Sequence, residues 1–211
     1  MNELLITSIG FLAQALFSGR LIVQWLLSEK NRRIVTPSLF WKLSLLASFL
    51  LFVYGYLRDD FAIMLGQTLT YFIYIRNLQL QGEWQKSPVW FRIFLLIFPV
   101  LIVIYGYNNG EYDIDQLFNN ADIPTWLLWL GSIAQIVFTF RFIYQWLVSE
   151  RTKTSQLPIG FWRLSVLGAS LILIYAIFRQ DVVLMVGHGS GLIVYIRNIM
   201  IGKKEKREAA Q

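Results

Sequence analysis

The stretch RLIVQWLLSEK at residues 20–30 returns as RFIYQWLVSER at residues 141–151, which is 121 positions later. Around it, residues 10–78 align with residues 131–199 without a gap, and about 27 of the 69 aligned pairs are identical. A long period of this kind indicates a repeated structural unit. The identities fall mainly on polar and aromatic positions, and repeated polar positions inside apolar segments are typical of membrane transporters.

The composition indicates an integral membrane protein. Of the 211 residues, 56% are hydrophobic and 15% are charged, whereas soluble domains carry about 25% charged residues. The chain has no cysteine and a single histidine. We therefore expect no disulfide, no iron–sulfur cluster, no His-based metal site and no other cofactor.

Seven apolar stretches are long enough to cross a bilayer, which takes about 17–25 residues. They lie near residues 4–27, 39–57, 60–80, 89–107, 125–148, 161–178 and 181–201. Pro37 and Pro158 stand just ahead of the second and sixth stretches, where proline suits a first helical turn. Pro99 is expected to kink the fourth stretch.

The number of spans decides how the two copies are oriented. Three spans invert the chain and the fourth carries it back, so both copies share one orientation. We predict an all-α membrane protein of one domain, residues 1–211, with two parallel three-helix bundles. Repeat one covers 4–80, linker helix 89–107 follows, and repeat two covers 125–201. A basic tail at 202–211 is expected to be disordered and to lie near the membrane.

The charges predict the orientation. With the N-terminus outside and the C-terminus cytoplasmic, 15 of the 19 basic residues fall on the cytoplasmic side, as the positive-inside rule requires. The acidic loop at 111–122 and the turns at Arg58 and Arg179 then lie outside. The net charge of +6 is thereby explained by basic loops against anionic lipids, and we expect no nucleic-acid partner.

Arg20 and Arg141 are the strongest candidates for a site. Each lies inside the first span of its repeat, and Gln24 and Gln145 follow four residues later on the same helix face. A buried arginine is costly in a membrane and suits bidentate contact with a phosphate or carboxylate. The alternative is a structural one, in which each arginine reaches the headgroups or caps helix carbonyls.

A polar stripe on the third span of each repeat gives further candidates. Residues Gln67, Tyr74 and Asn77 share one helical face, and His188, Tyr195 and Asn198 occupy the same places in the second copy. Packing between helices is the commoner reason for such a stripe, and a water-filled path is the alternative. His188 is either a proton-linked switch or a hydrogen-bonded core residue.

Two aromatic pairs, Phe40-Trp41 and Phe161-Trp162, each precede a cation. We interpret them as anchors at the inner membrane interface.

These motifs resemble a bacterial membrane family. The pattern Arg-x-x-x-Gln-Trp-x-x-Ser-Glu, the pattern Pro-x-x-Phe-Trp-x-x-Ser from Pro37 and Pro158, and Gly-Gln-x6-Tyr-Ile-Arg-Asn at 66–77 are similar to the lipid-A-disaccharide synthase N-terminal domain. His188 departs from this pattern in the second copy. The architecture also resembles the PQ-loop and SWEET transporters, although the Pro-Gln dipeptide is absent.

The resemblance implies a role in lipid A-related envelope biogenesis at the bacterial inner membrane. We expect a transporter or flippase of a lipid-linked sugar or glycolipid, or else a scaffold for a lipid-modifying glycosyltransferase. Only ten residues follow repeat two, so we expect no glycosyltransferase domain and no enzyme activity. A third hypothesis is a lipid A biosynthesis enzyme. Expected partners are a phospholipid or lipid-linked sugar, a membrane glycosyltransferase and a second copy of the chain.

Overall fold

A computed structural model describes residues 3–57, 61–108, 124–180 and 182–209. Across these ranges the chain forms seven α-helices and one short 3₁₀-helix, and no strand occurs in them. The α-helices are α1 (Glu3–Asn31), α2 (Ser38–Leu57), α3 (Phe61–Leu80), α4 (Val89–Asn108), α5 (Thr125–Thr152), α6 (Ile159–Arg179) and α7 (Val182–Glu208). The 3₁₀-helix covers Trp84–Lys86. The turn at Arg58 and the acidic loop at 111–122 lie outside the described residues.

The predicted all-helical fold is confirmed for the described residues. By length and composition, five helices can cross a membrane: α1, α2, α5, α6 and the part of α7 from Leu184. The helices α3 and α4 occupy the other two predicted stretches, and α4 carries a shorter apolar run over Val89–Leu101. That all seven helices cross, in a 3+1+3 arrangement, stays a prediction.

The two prolines ahead of the second and sixth stretches end up where the sequence predicts them. Helix α2 begins directly after Pro37, whose carbonyl accepts a hydrogen bond from the Phe40 N–H at 3.0 Å. Helix α6 begins directly after Pro158, whose carbonyl accepts from the Phe161 N–H at 2.9 Å. Pro99 lies inside α4.

The chain divides into two compact units that do not follow the repeat boundaries. The first unit comprises Met1–Arg20 and Pro37–Asn120, and the second comprises Leu21–Thr36 and Ala121–Gln211. The last eleven residues of α1, 21–31, therefore pack within the second unit. There the Glu29 carboxylate forms an ion pair with Arg197 of α7 and accepts two hydrogen bonds from its guanidinium.

The prediction of a disordered tail is wrong for residues 202–208, because α7 continues to Glu208. The tail residues Lys, Glu and Arg are good helix formers. Gly202 is buried, and an added Cβ would lie 2.6 Å from the Ile34 side chain. The Glu205 carboxylate accepts a hydrogen bond from the Ile34 N–H at 3.2 Å. These contacts order the charged end of the helix.

One glycine allows the close packing of α5 against α6. A Cβ at Gly168 would lie 2.7 Å from the backbone Cα of Phe138. No side chain fits at that separation without moving the backbone. The glycine thus sets how near α6 comes to the turn of α5 that carries Arg141.

Candidate functional site

Arg20 lies in a cage of aromatic rings within the first unit. Its side chain is only 4% exposed, so it does not reach outward from the protein. Its Nη1 donates to the Ser44 hydroxyl at 2.5 Å, and Ser44 in turn donates to the Phe40 carbonyl at 2.5 Å. The guanidinium carbon lies 4.6, 5.0 and 5.5 Å from the ring centres of Phe17, Phe40 and Tyr74. These distances are those of cation–π contacts.

Arg141 has the same surroundings within the second unit. It is also 4% exposed, and its Nη1 donates to the Ser165 hydroxyl at 3.2 Å. The guanidinium carbon lies 3.5, 4.8, 5.4 and 5.5 Å from the ring centres of Phe138, Phe142, Phe161 and Tyr195. The repeated sequence has therefore produced two arginine cages, each built from one unit.

The interpretation of the Phe-Trp pairs as interface anchors is wrong. Phe40, Trp41 and Trp162 are 0% exposed and Phe161 is 1% exposed. The phenylalanines form part of the arginine cages, and each tryptophan packs against the cage tyrosine of its unit, at 6.0 Å from Tyr74 and 6.1 Å from Tyr195. The phenylalanine rings are buried against the arginines, whose charge is costly to expose to lipid.

Each of these tryptophans brings a polar donor into the interior. The indole Nε1 atoms of Trp41 and Trp162 are buried and have no hydrogen-bond partner among the described residues. A buried donor without a partner costs about 1–3 kcal/mol. Its occurrence at the same position in both copies calls for a functional explanation. An indole N–H close to an arginine cage suits an oxygen-rich, anionic ligand.

Gln24 and Gln145 hold the loops that follow their helices. The Gln24 amide nitrogen, which has two hydrogens to donate, lies 2.9 Å from the Ser28 hydroxyl, 3.2 Å from the Val35 carbonyl and 2.9 Å from the Asn198 side-chain oxygen. The Gln145 amide nitrogen lies 2.8 Å from the Ser149 hydroxyl and 3.0 Å from the Gln156 carbonyl. Ligand binding by these two glutamines stays a prediction.

The stripe residues of the first unit lie among neighbouring helices. The Gln67 side chain accepts a hydrogen bond from Ser48 at 3.0 Å, and the Asn77 amide donates to the Ile73 carbonyl at 2.9 Å. Tyr74 is 2% exposed and forms part of the Arg20 cage. Of this stripe, Tyr74 is the residue that the described contacts bring to an arginine.

The stripe of the second unit differs at its histidine. His188 packs edge-on against Phe138 with the ring centres 5.0 Å apart, and Phe138 also lies under Arg141. His188 and Ala169 stand where the first copy has Gln67 and Ser48. Both partners of the Ser48–Gln67 hydrogen bond are therefore replaced in the second copy. Tyr195 belongs to the Arg141 cage, and the Asn198 amide donates to the Val194 carbonyl at 2.9 Å.

Ser44 and Ser165 were not predicted as site residues. Both are 0% exposed and accept a hydrogen bond from the arginine of their unit. Their identity in the two copies, within the motif Pro-x-x-Phe-Trp-x-x-Ser, was the available signal. Over the ranges that the structure describes, no group of three His, Asp or Glu side chains could hold a metal ion.

Comparison with known proteins matches both copies of the repeat. The family model of the Lipid A Biosynthesis N-terminal domain matches residues 9–79 and 130–200. The lipid-A-disaccharide synthase of Chlamydia pneumoniae is 30% identical over 210 residues, covering 96% of this chain and 34% of that protein. The lipid-A-disaccharide synthase of Chlamydia caviae is 28% identical over 94% of this chain and 33% of that protein. No solved structure matches.

These comparisons confirm the family resemblance and correct one expectation. The chain spans about a third of the length of the curated relatives that it matches. Those relatives are named for an enzyme and align along nearly the whole chain. The prediction that the chain is not an enzyme is therefore wrong, although the matched third is only their N-terminal domain. The likeness to PQ-loop and SWEET transporters stays a prediction.

Proposed function

Because the chain belongs to the Lipid A Biosynthesis N-terminal domain family, we propose that it binds and moves a phosphorylated, lipid-linked sugar in lipid A-related envelope biogenesis. Its membrane would be the bacterial inner membrane, with the N-terminus outside and the C-terminus cytoplasmic. The distribution of basic residues supports this orientation. The five apolar helices support a site inside the membrane.

The observation that carries the proposal is the buried indole donor beside each arginine cage. Trp41 and Trp162 each present an N–H without a hydrogen-bond partner among the described residues. Arg20 and Arg141 supply the positive charge. A phosphate offers several acceptor oxygens and a negative charge, so one such group could engage both donors of a unit. Sugar hydroxyls would meet the neighbouring tyrosines, Tyr74 and Tyr195.

Burial makes each cage selective. A guanidinium held by rings keeps its charge away from water, where its attraction for an anion is stronger than at the surface. The anion must then leave water too, so it binds only if it satisfies several donors at once. A lipid phosphate arriving through the membrane meets this condition better than a small solute does.

The test removes the indole donors and keeps the aromatic ring. Trp41→Phe and Trp162→Phe are reconstituted separately and together in liposomes with a fluorescent, phosphorylated lipid-linked sugar. We expect flipping to fall about tenfold in each single variant, since one lost charge-assisted hydrogen bond of roughly 1.5 kcal/mol is a factor of about ten. Trp90→Phe is the matched control, because Trp90 is 70% exposed.

Two outcomes would overturn the proposal. One is an unchanged flipping rate in the double variant, which would leave the indole donors without a ligand. The other is an equal loss in the Trp90→Phe control, which would mean that any lost tryptophan impairs the protein. Thermal unfolding of each variant in detergent identifies those that fail to fold.

A second candidate function is presentation of the bound lipid to a sugar-transferring enzyme. The observation favouring it is that the relatives are about three times as long as the stretch that this chain matches, and carry the name lipid-A-disaccharide synthase. The discriminating experiment is purification from membranes with mild detergent. Co-purification with a glycosyltransferase, together with no lipid flux in liposomes, would favour presentation over transport.

A further inference from the structure

Helix α2 uses two faces for two purposes. Ser44 and Phe40 on one face meet Arg20. Lys42, Leu45, Leu46 and Phe49, at i, i+3, i+4 and i+7, share another face and line a cavity of about 360 Å³. The opposite wall comes from residues that precede and begin α4, namely Trp84, Ser87, Phe91, Phe94 and Leu95, with Leu78 of α3.

The cavity is polar at one end and apolar along its length. At the polar end, Lys42 Nζ lies 2.5 Å from the Glu83 carboxylate, and Lys86, which does not itself line the cavity, pairs with the other oxygen of the same carboxylate. Their side chains are 50% and 70% exposed, so both ammonium groups remain accessible. From Lys42 to Phe49 the wall runs two helical turns, about 10 Å. The three charged groups at the mouth sum to one positive charge.

We infer that this cavity is a binding groove for one acyl chain of an anionic phospholipid, whose phosphate meets Lys42 and Lys86. A phosphodiester carries one negative charge, which complements the mouth. The apolar wall accepts hydrocarbon, and the volume lies in the range of about 300–1,000 Å³ for small-molecule sites. Half-exposed Leu46 and Phe94, at 50% and 44%, make the groove accessible from the side of the helices.

The second copy does not repeat this groove. Phe49 corresponds to Ser170, and Glu83 corresponds to Lys204, counting 121 residues onward. In the sequence, helix α4 follows the first copy of the repeat and precedes the second. The wall of the groove that α4 forms therefore has no counterpart in the second copy. The lipid site is therefore predicted once per chain. It does not depend on the arginine cages, and it would bind lipid whether or not the chain moves a glycolipid.

The first test fills the groove. Leu46→Trp adds a bulky ring at a half-exposed position of the wall. Leu167→Trp makes the same change at the matching position of the second copy, where the leucine is 53% exposed. The full chain is placed in nanodiscs of phosphatidylcholine and phosphatidylglycerol in equal parts, and retained lipids are counted by native mass spectrometry. We expect the wild type and Leu167→Trp to keep one phosphatidylglycerol that Leu46→Trp loses.

The second test removes the charges at the mouth. Lys42→Gln combined with Lys86→Gln should keep a lipid but lose the preference for phosphatidylglycerol over phosphatidylcholine. Arg163→Gln is the control, since exposed Arg163 matches Lys42 in the second copy. The inference is overturned if Leu46→Trp retains the same lipids as the wild type. It is also overturned if the double lysine variant keeps the wild-type preference for phosphatidylglycerol. A flipping defect in the tryptophan variants of the cages would leave this result unaffected.

Discussion

Replacing Arg141 by methionine separates a binding role for the buried guanidinium from a structural one. A charged side chain in the middle of a membrane helix costs about 3 kcal/mol on insertion scales. Arg141 offsets this cost with its ring contacts, which among the described residues include four rings, the nearest at 3.5 Å. At about 0.5–1 kcal/mol for each ring, these contacts return roughly 2–4 kcal/mol. The cost and the gain nearly cancel, so the arginine adds little to the stability of the fold.

Methionine keeps the helix and the filled volume, since its helix propensity is close to that of arginine and its chain is flexible. Ser165 keeps its own hydrogen bond to the Phe161 carbonyl at 2.7 Å. We therefore expect R141M to change the free energy of unfolding by less than about 1 kcal/mol and to abolish binding of a phosphorylated glycolipid.

The assay is reversible unfolding in mixed micelles, followed by circular dichroism, with lipid binding measured on the same preparations. R20M is the matched variant. The distances from the Arg20 guanidinium to its described rings are 4.6–5.5 Å, against 3.5–5.5 Å for Arg141, so replacing Arg20 should leave the protein slightly more stable than R141M. A loss of about 3 kcal/mol or more in the free energy of unfolding, with unchanged lipid binding, would show that the arginines are structural and do not bind the lipid.

Three further predictions concern the surroundings of the site. Gln24→Leu removes the donor for Asn198 and should lower the free energy of unfolding by about 2–4 kcal/mol, because buried acceptors lose their partner; chemical unfolding measures it. Gly168→Ala should cost about 1–3 kcal/mol through overpacking against the Phe138 backbone, seen as a lower Tm. The hydrogen bond from Lys42, and after it the hydrogen bond from Lys86, lowers the pKa of Glu83 from 4.5 to about 2. The stability they contribute should be complete above about pH 4.5 and lost as the pH falls toward 2.

Each of these three has a control in the same chain. Gly187→Ala should not lower Tm, since nothing lies within 4 Å of its added Cβ and alanine has the higher helix propensity. Glu83→Gln should flatten the acid side of the stability profile, and identical profiles for the variant and the wild type would count against the ion pairs. For Gln24, Gln14→Leu replaces an exposed glutamine of the same helix, and equal losses at both positions would contradict the hydrogen-bond explanation.

The helices could be predicted from apolar length, but their ends could not. The apolar run of α1 stops near residue 27, whereas the helix continues to Asn31. The run of α7 stops near residue 201, whereas the helix continues to Glu208. Charged residues extend both helices because they are good helix formers and find partners such as Arg197 with Glu29. Hydropathy indicates which residues are apolar enough to lie in a membrane, but it does not predict polar contacts between helices.

The arginines were predictable as site candidates, and most of their surroundings were not. An arginine in an apolar helix can be recognised from the sequence as a site candidate, because placing its charge in a membrane costs free energy. The Phe-Trp pairs carried two signals, proximity to a cation and identity between the copies, and the first led to the wrong interpretation. Only the fold shows that Phe40 and Phe161 turn inward onto the guanidinium. The division of α1 between two units was equally inaccessible, because it depends on contacts about 170 residues apart, such as Gln24 with Asn198.

We propose that the caged arginines recognise a lipid phosphate. The most direct measurement is the affinity of the purified chain for one glycolipid with and without its phosphate, in the wild type and in the R20M/R141M double variant. We predict that the wild type prefers the phosphorylated lipid by at least about tenfold, or 1.4 kcal/mol, and that the double variant binds both equally. Equal affinity in the wild type, or a preference that survives in the double variant, would show that the two arginines do not recognise the phosphate.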